Sequence, residues 1–166
     1  MQLSEPTTIN RAARQYVAIT SCVPMTRIGS DLPPLIGEVF GWLAARDIPP
    51  SGAPFFKYNV IDMEGELEIE VGVSVASEVT GDERVRGGVL PAGRYATLHH
   101  IGHPSTLVDA TEALLTWARQ SGLSWDTSDT DGSERWTARL EEYPVGPDDT
   151  PDMDKYEADL AFKLAD

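Results

Sequence analysis

A short segment near the end of the chain carries residue types that could bind a charged ligand or transfer a proton. Within a strand over 136–143, Arg139, Glu141 and Tyr143 project from one face, and Glu142 projects from the other. A carboxylate beside an aromatic ring attracts a cation whose apolar body stacks on that ring. In an apolar cleft the pKa of Glu141 would rise, so this residue could also act as a general acid or base. The alternative is an ordinary solvated strand edge.

Aromatic side chains are the second candidate group. The predicted strands contain Phe55, Phe56, Tyr58, Tyr95, Trp136, Tyr143 and Tyr156. Core packing is the alternative role for each of them, but tyrosine suits a partly wet pocket because its ring carries a hydroxyl. The candidate ligand-binding residues are Glu141, Tyr143, Tyr156, Tyr95, Phe55, Tyr58, Trp117 and Trp136. If the protein is an enzyme, Glu141 and Tyr143 are the candidate catalytic residues.

The three histidines do not form a metal-binding pattern. His99 and His100 would project to opposite faces of a strand, and Gly102 and Pro104 prevent a helix from aligning His99 with His103. Neither an HExxH motif nor a pair of cysteines occurs. A phosphate-binding glycine loop and a Gly-x-Ser-x-Gly motif are also missing. We therefore expect neither a metal site nor a cofactor.

The charge balance argues against several kinds of partner. The chain has 166 residues, 13 Lys and Arg against 27 Asp and Glu, and a formal net charge of −14. The basic residues are scattered, whereas binding to a phosphate backbone requires clustered Lys and Arg. We therefore expect no direct binding to nucleic acid or to anionic membranes. Acidity that merely keeps the protein soluble is the simplest interpretation, and cationic ligands or basic protein partners stay compatible with it.

Targeting and redox features favour a cytoplasmic protein. Residues 1–6 contain neither a basic segment nor an apolar run, so they do not resemble a signal peptide. No apolar stretch approaches the roughly 18 residues that a membrane span needs. Cys22 is the only cysteine, so it cannot form an internal disulfide, and its apolar neighbours predict a buried strand residue.

The periodicity of apolar residues predicts two similar halves. The predicted strands cover 14–22, 54–61, 66–75, 89–101, 134–143 and 155–164. One helix should begin near Pro33 and another near Pro104, because proline is tolerated in the first helical turn and apolar residues then recur at helical spacing. The strands 67–73 and 156–162 carry acids at the same two alternate positions.

This order predicts a duplicated β-α-β-β unit, with repeats at about 14–76 and 87–165 and an N-terminal extension at 1–13. The expected fold class is α+β, in a single domain. Two such units joined edge to edge would form a curved antiparallel sheet with two helices on one face. The other face would either meet solvent or line a central ligand cleft at the junction of the halves.

The pattern resembles the GyrI-like effector-binding domains, which also occur fused to DNA-binding segments in AraC-type and MerR-type multidrug-sensing regulators. The resemblance extends from about residue 14 to residue 164. It is carried by Ile69-Glu70-Val71-Gly72-Val73-Ser74-Val75, Leu90-Pro91-Ala92-Gly93-Arg94-Tyr95, His100-Ile101-Gly102, Leu114-Leu115-Thr116-Trp117, Leu140-Glu141-Glu142-Tyr143 and 158–164.

The resemblance implies a cleft for small cationic or aromatic molecules, with the family's pocket Glu at Glu141 and further contacts from Tyr143 and Tyr156. Ser74 and Lys163 stand where the family often has proline. The residues before 14 are too few for a helix-turn-helix, so we expect no DNA-binding segment there. The spacing to Tyr143 selects Glu141 as the pocket acid, whereas a β-bulge would select Glu142.

Three functions are compatible with these features. The leading hypothesis is a stand-alone protein that binds a small hydrophobic or cationic organic ligand in an aromatic cleft. The first alternative is a hydrolase of strained cyclopropane-containing electrophiles that uses the same Glu141. The second alternative is an interaction protein whose acidic surface binds gyrase or a regulator.

Overall fold

Alternating apolar and polar residues build a long antiparallel sheet. The computed structural model describes residues 1–166. The strands are β1 (Gln2–Leu3), β2 (Thr7–Arg11), β3 (Arg14–Pro24), β4 (Pro54–Ile61), β5 (Glu66–Val75), β6 (Arg86–Leu90), β7 (Gly93–Ile101), β8 (Thr127–Thr130), β9 (Ser133–Trp136), β10 (Arg139–Val145) and β11 (Glu157–Lys163). The α-helices are α1 (Ile28–Asp31), α2 (Pro33–Ala44) and α3 (Leu107–Gln120).

Local sequence signals account for the two longer helices. Pro33 and Pro34 occupy the first turn of α2, where their missing N–H groups have no intrahelical partner to lose. In α3, Asp109 lies in the first turn and Arg119 in the last, so both charges complement the helix dipole. Gly122 then adopts φ +71°, a left-handed conformation that glycine reaches without strain and that ends the helix.

The central strands run in the order β7-β11-β10-β4-β5-β3, and every pairing is antiparallel. Each half therefore pairs its strands in the same order, with β3, β5 and β4 in one half and β7, β11 and β10 in the other. The halves join where β4 pairs with β10 at Leu140↔Lys57, Glu141↔Phe56 and Glu142↔Phe55. This junction lies in the middle of the sheet.

The sheet packs apolar residues on both faces. On the helix-bearing face, a cluster of 15 buried residues includes Ile69, Leu114 and Phe162. On the opposite face, a cluster of 8 buried residues includes Phe55 and Tyr95. The α+β class and the antiparallel sheet are confirmed, whereas the duplication and the central cleft stay predictions.

Some elements differ from the sequence-based expectation. The fold has three α-helices rather than two, because a single turn, α1, precedes α2. The extension 1–13 contributes β1 and β2, which both pair with β7, and the stretch 124–133 contains β8. Cys22 is exposed, so the prediction of a buried thiol was wrong. Its strand neighbour across the pair is Glu68, on a part of the sheet where the face opposite the helices is polar.

Candidate functional site

The two adjacent glutamates of β10 have separate environments. Glu141 and Tyr143 lie on the helix-bearing face, where the Tyr143 hydroxyl donates a hydrogen bond to Glu141 Oε1. Glu142 lies on the opposite face and accepts hydrogen bonds from Arg11 Nη2 at 2.9 Å and Arg14 Nη2 at 3.0 Å. Glu142 is thus neutralised by two guanidinium groups.

The Glu141 side chain is half-buried and has no cationic partner in contact. Its one side-chain hydrogen bond is to Tyr143, and it forms no ion pair. Burial raises its pKa above the usual glutamate value, and the Tyr143 hydrogen bond and the charge of Arg139 oppose this shift. An unpaired carboxyl of this kind can attract a ligand cation when ionised or donate a proton when neutral.

Aromatic rings surround the carboxyl. Tyr143 packs edge-to-face on Phe56, with ring centroids 5.0 Å apart. Burial raises the pKa of the Tyr58 hydroxyl well above its ordinary value, and the charge of Glu141 adds to that effect. The Tyr143 pKa is also raised well above its ordinary value, mainly by burial and further by the charge of Glu141. Both tyrosines therefore stay protonated and serve as hydrogen-bond donors at ordinary pH.

Arg139 lies on the same face, among a second group of rings. Its guanidinium carbon is 4.5 Å from the ring centroid of Phe162, 4.8 Å from that of Trp136 and 5.8 Å from that of Tyr58. Burial lowers the pKa of Arg139, although the nearby charges of Glu134 and Glu141 oppose that shift. Alternation along the strand predicts that Arg139 lies beside Glu141, and Tyr58 and Trp136 are among the candidate residues, whereas the contact with Phe162 was not predicted.

The helices flank these residues. Helix α2 packs on β3 and β5, and helix α3 packs on β7, so neither lies squarely across β4 and β10. Leu35 and Ile36 of α2 and Trp117 of α3 are half-buried against the cluster of 15 residues that also contacts Tyr58 and Tyr143. Trp117 therefore belongs to the same side of the sheet as Glu141.

Two candidate residues lie on the other side of the sheet. Phe55 is fully buried and packs against Tyr16, with centroids 5.6 Å apart. Tyr95 is also buried, and its hydroxyl donates to the Pro91 carbonyl at 2.7 Å. The structure does not bring Phe55 or Tyr95 together with Glu141, because β4 and β7 turn these residues to the opposite face.

Trp136 and Tyr156 occupy more peripheral positions. Trp136 is buried at the end of β9, against Trp125 and Phe162, and its indole N–H has no acceptor. Tyr156 is half-buried one residue before β11, and its carbonyl accepts a hydrogen bond from the N–H of Gly102 at 2.9 Å. Trp125 is a further aromatic neighbour that sequence reasoning missed, because it lies in a loop next to an acidic stretch.

Polar groups on the face opposite the helices form an internally satisfied network. Glu70 accepts hydrogen bonds from the Tyr16 hydroxyl at 2.7 Å, from Lys57 at 3.1 Å and from the Asn59 amide at 2.9 Å. Lys57 also donates to Asn59 at 2.6 Å. Since these groups pair with one another, we assign them a structural role.

The histidines lie in different environments. His99 contacts Asp159 at 2.5 Å and Glu157 at 2.8 Å, whereas the buried His100 contacts Thr106 at 2.7 Å on the opposite face. The two carboxylates raise the pKa of His99 against the opposing effect of desolvation. No group of three or more His, Cys, Asp or Glu side chains has an arrangement that could hold a metal ion.

The helices are also too short or too polar for a bilayer. None of them combines the length and the hydrophobicity that crossing a membrane requires.

The composition of the site indicates a class of protein, and the match to a family model then identifies the family. Pockets that bind small molecules are lined mainly by hydrophobic and aromatic side chains with a few polar groups, and the surroundings of Glu141 have this composition. The family model of the GyrI-like small molecule binding domain matches residues 4–155. The chain therefore belongs to the GyrI-like family. No curated protein matches the sequence.

Solved structures share the fold at low sequence identity. The EcmrR C-terminal domain is 16% identical, with a TM-score of 0.75, and the match covers 97% of each chain. The match to the EcmrR polypeptide of the EcmrR–DNA complex covers only 57% of that polypeptide, so this chain spans little more than half of its length. SAV2435 bound to tetraphenylphosphonium is 12% identical, with a TM-score of 0.62 and coverage of 98% of this chain and 94% of that one.

A hydrolase from Listeria innocua is also 12% identical, with a TM-score of 0.61 and coverage of 97% of this chain and 92% of that one. Proteins that share this fold thus differ in what they do, and identities this low establish the fold alone.

Proposed function

We propose that the protein binds a hydrophobic cation on the helix-bearing face of the sheet, between α2 and α3, with Glu141 as the counter-charge. The observation that carries this proposal is the Glu141 carboxyl, which lies among aromatic rings and contacts no basic side chain. A lipophilic cation would supply the missing positive charge and cover the half-buried rings of Tyr58 and Tyr143.

Two further observations support a hydrophobic cation. The family is one of small-molecule-binding domains, and SAV2435 shares the fold and was solved with tetraphenylphosphonium. Trp117 and Leu35 would form the flanking walls of the cleft.

Tetraphenylphosphonium is a suitable probe. Calorimetry should detect its binding to the wild-type chain, and Glu141→Gln should weaken the affinity about tenfold, because the substitution removes the counter-charge and keeps the side-chain volume. Glu112→Gln is the matched control, since it removes one negative charge from the exposed face of α3. Equal affinities for wild type and Glu141→Gln would refute the role of Glu141.

A hydrolase is a second candidate, favoured by the hydrogen bond between Glu141 and Tyr143. A carboxyl with a raised pKa beside a protonated tyrosine can protonate a leaving group or activate water. The test is incubation with a strained cyclopropane-containing electrophile. Product that accumulates beyond one equivalent with wild type, and not with Glu141→Gln, supports turnover, whereas unchanged compound leaves only binding.

An interaction of the acidic surface with gyrase or a regulator stays a prediction, as does a cytoplasmic location. If such a contact depends on charge, raising the salt concentration should abolish it, and Glu141→Gln should have little effect.

A further inference from the structure

An open cavity of about 540 Å³ lies on the α3 side of the sheet, next to the strand that carries Glu141. Its walls come from the last turns of α3, the loop that follows the helix, and the strands β9 and β10. The apolar lining includes Leu115, Leu123, Trp125 and Trp136, and Arg139 forms the edge nearest to Glu141. The volume suits a ligand the size of a two-ring aromatic compound.

The Arg139 side chain offers this cavity a complete set of unused donors. Its guanidinium forms no hydrogen bond and no ion pair, and only longer-range charges act on it. The contacts that it does make are with the rings of Phe162, Trp136 and Tyr58. A guanidinium whose face packs on rings keeps its in-plane N–H groups free, and these N–H groups match the two oxygens of a carboxylate.

The local charge of the cavity is opposite in sign to that of the whole protein. Two arginines, Arg119 and Arg139, line the cavity against one carboxylate, Glu134. The chain as a whole has a net charge of −14. Arg139 is half-buried, and its guanidinium nitrogens are not sealed from solvent, so they stay accessible from the cavity. No acceptor group of the protein bonds to the Arg139 guanidinium, so an acceptor on a bound ligand could do so.

We propose that this cavity is a second binding site, which takes a planar aromatic acid. Its ring system would lie against Trp125, Trp136 and Leu115, and its carboxylate would accept a bidentate pair of hydrogen bonds from Arg139. This site is separate from the cation site proposed at Glu141, and it requires the opposite charge on the ligand.

The probe for this site is 2-naphthoate, with 2-naphthalenemethanol as a neutral compound of similar shape. Calorimetry should show binding of 2-naphthoate to wild type and binding of the alcohol that is about tenfold weaker. Arg139→Gln should weaken 2-naphthoate about tenfold and remove its advantage over the alcohol. Arg139→Lys should lie in between, because lysine keeps the charge and loses the paired donors.

Controls separate this site from unfolding and from the Glu141 site. Arg135→Gln changes the net charge equally at an exposed position on β9 outside this cavity, and it should leave 2-naphthoate binding unchanged. Arg139→Gln should also tighten tetraphenylphosphonium binding, because it removes a positive charge that acts on Glu141 from outside the cation site. A damaged fold would instead weaken both probes.

The proposal fails if 2-naphthoate does not bind, if it binds no better than the alcohol, or if Arg139→Gln leaves its affinity unchanged. Glu141→Gln should not weaken 2-naphthoate. A loss of tetraphenylphosphonium binding in that variant therefore tests the cation site alone.

Discussion

Glu141 should make ligand binding depend on pH. Burial raises its pKa, so the carboxyl takes up a proton at a higher pH than an exposed glutamate does. The affinity for tetraphenylphosphonium should therefore fall as the pH is lowered through the raised pKa, because the neutral acid offers no counter-charge. Calorimetry across a range from about pH 4 to pH 8 measures this effect. Glu141→Gln should give a flat profile, and a wild-type profile equally flat would contradict the assignment.

The same shift predicts how stability responds to pH. Because the folded-state pKa of Glu141 lies above the unfolded value, the folded chain holds the proton more tightly. The bound proton therefore makes its full contribution to the free energy of unfolding at pH values below the unfolded pKa. It is lost as the pH rises through the folded pKa. Glu141→Gln should therefore raise the free energy of unfolding at neutral pH, relative to wild type, by about 1.4 kcal/mol per unit of pKa difference. Urea titrations at neutral and acidic pH test this, since the gain should vanish in acid.

Tyr143 sets the protonation of Glu141 through its hydrogen bond. That bond favours the ionised carboxylate, so Tyr143→Phe should move the Glu141 pKa further upward. The midpoint of the binding profile should move up with it. The ¹³C signal of the Glu141 carboxyl reports the titration directly, and Tyr156→Phe serves as a control because Tyr156 has no contact with Glu141. A downward shift in Tyr143→Phe would show that the hydrogen bond favours the neutral acid.

At the scale of elements, Glu142 connects the start of the chain to β10. Its carboxylate pairs with Arg11 at the end of β2 and with Arg14 at the start of β3. Glu142→Gln should lower the free energy of unfolding by about 2 kcal/mol, because it leaves two half-buried guanidinium groups without their shared anion. Urea unfolding at neutral pH tests this, and the neighbouring Glu141→Gln should change stability in the opposite direction. A loss of stability in both variants would mean that Glu141, like Glu142, forms a stabilising interaction with a positive charge.

Elements with a local signal could be predicted from the sequence. The alternation along β5, the prolines at the start of α2 and Gly122 after α3 each specify their element through nearby residues. The pattern Glu141-x-Tyr143 likewise predicted that these two residues share one face of the strand and that Glu142 lies on the other. It did not predict that the face of Glu141 is the helix-bearing one. Such features depend on the period of the strand and on turn chemistry alone.

Elements defined by distant partners could not be predicted. The strand β2 exists through its pairing with β7, about ninety positions along the chain, as in Thr7↔Thr97. The face taken by Phe55 and Tyr95 also depends on pairing between separate strands, and so does the group of rings around Arg139. As long as the pairing of the strands is unknown, the sequence shows only that successive side chains of each strand point to opposite faces.

At the scale of the whole molecule, the net charge of −14 should act on the two probes in opposite directions. The negative field attracts tetraphenylphosphonium and repels 2-naphthoate at long range, and salt screens both effects. Raising NaCl from about 50 mM to 500 mM should weaken the cation about threefold and should not weaken the anion by a similar factor. Calorimetry at the two salt concentrations measures both. A parallel loss for both probes would show that the bulk field is not what distinguishes them.

The pairing of β2 with β7 has a consequence for how the chain forms on a ribosome. Strands β3, β4, β5 and β6 pair among themselves, so the first half can assemble while the second is still being made. The segment Thr7–Arg11 is made before these strands, yet it has no strand to join until Gly93–Ile101 has been synthesised. Arg11 waits longer still, for Glu142. Strand β2 is thus made before the first half of the sheet and reaches its native partners after it.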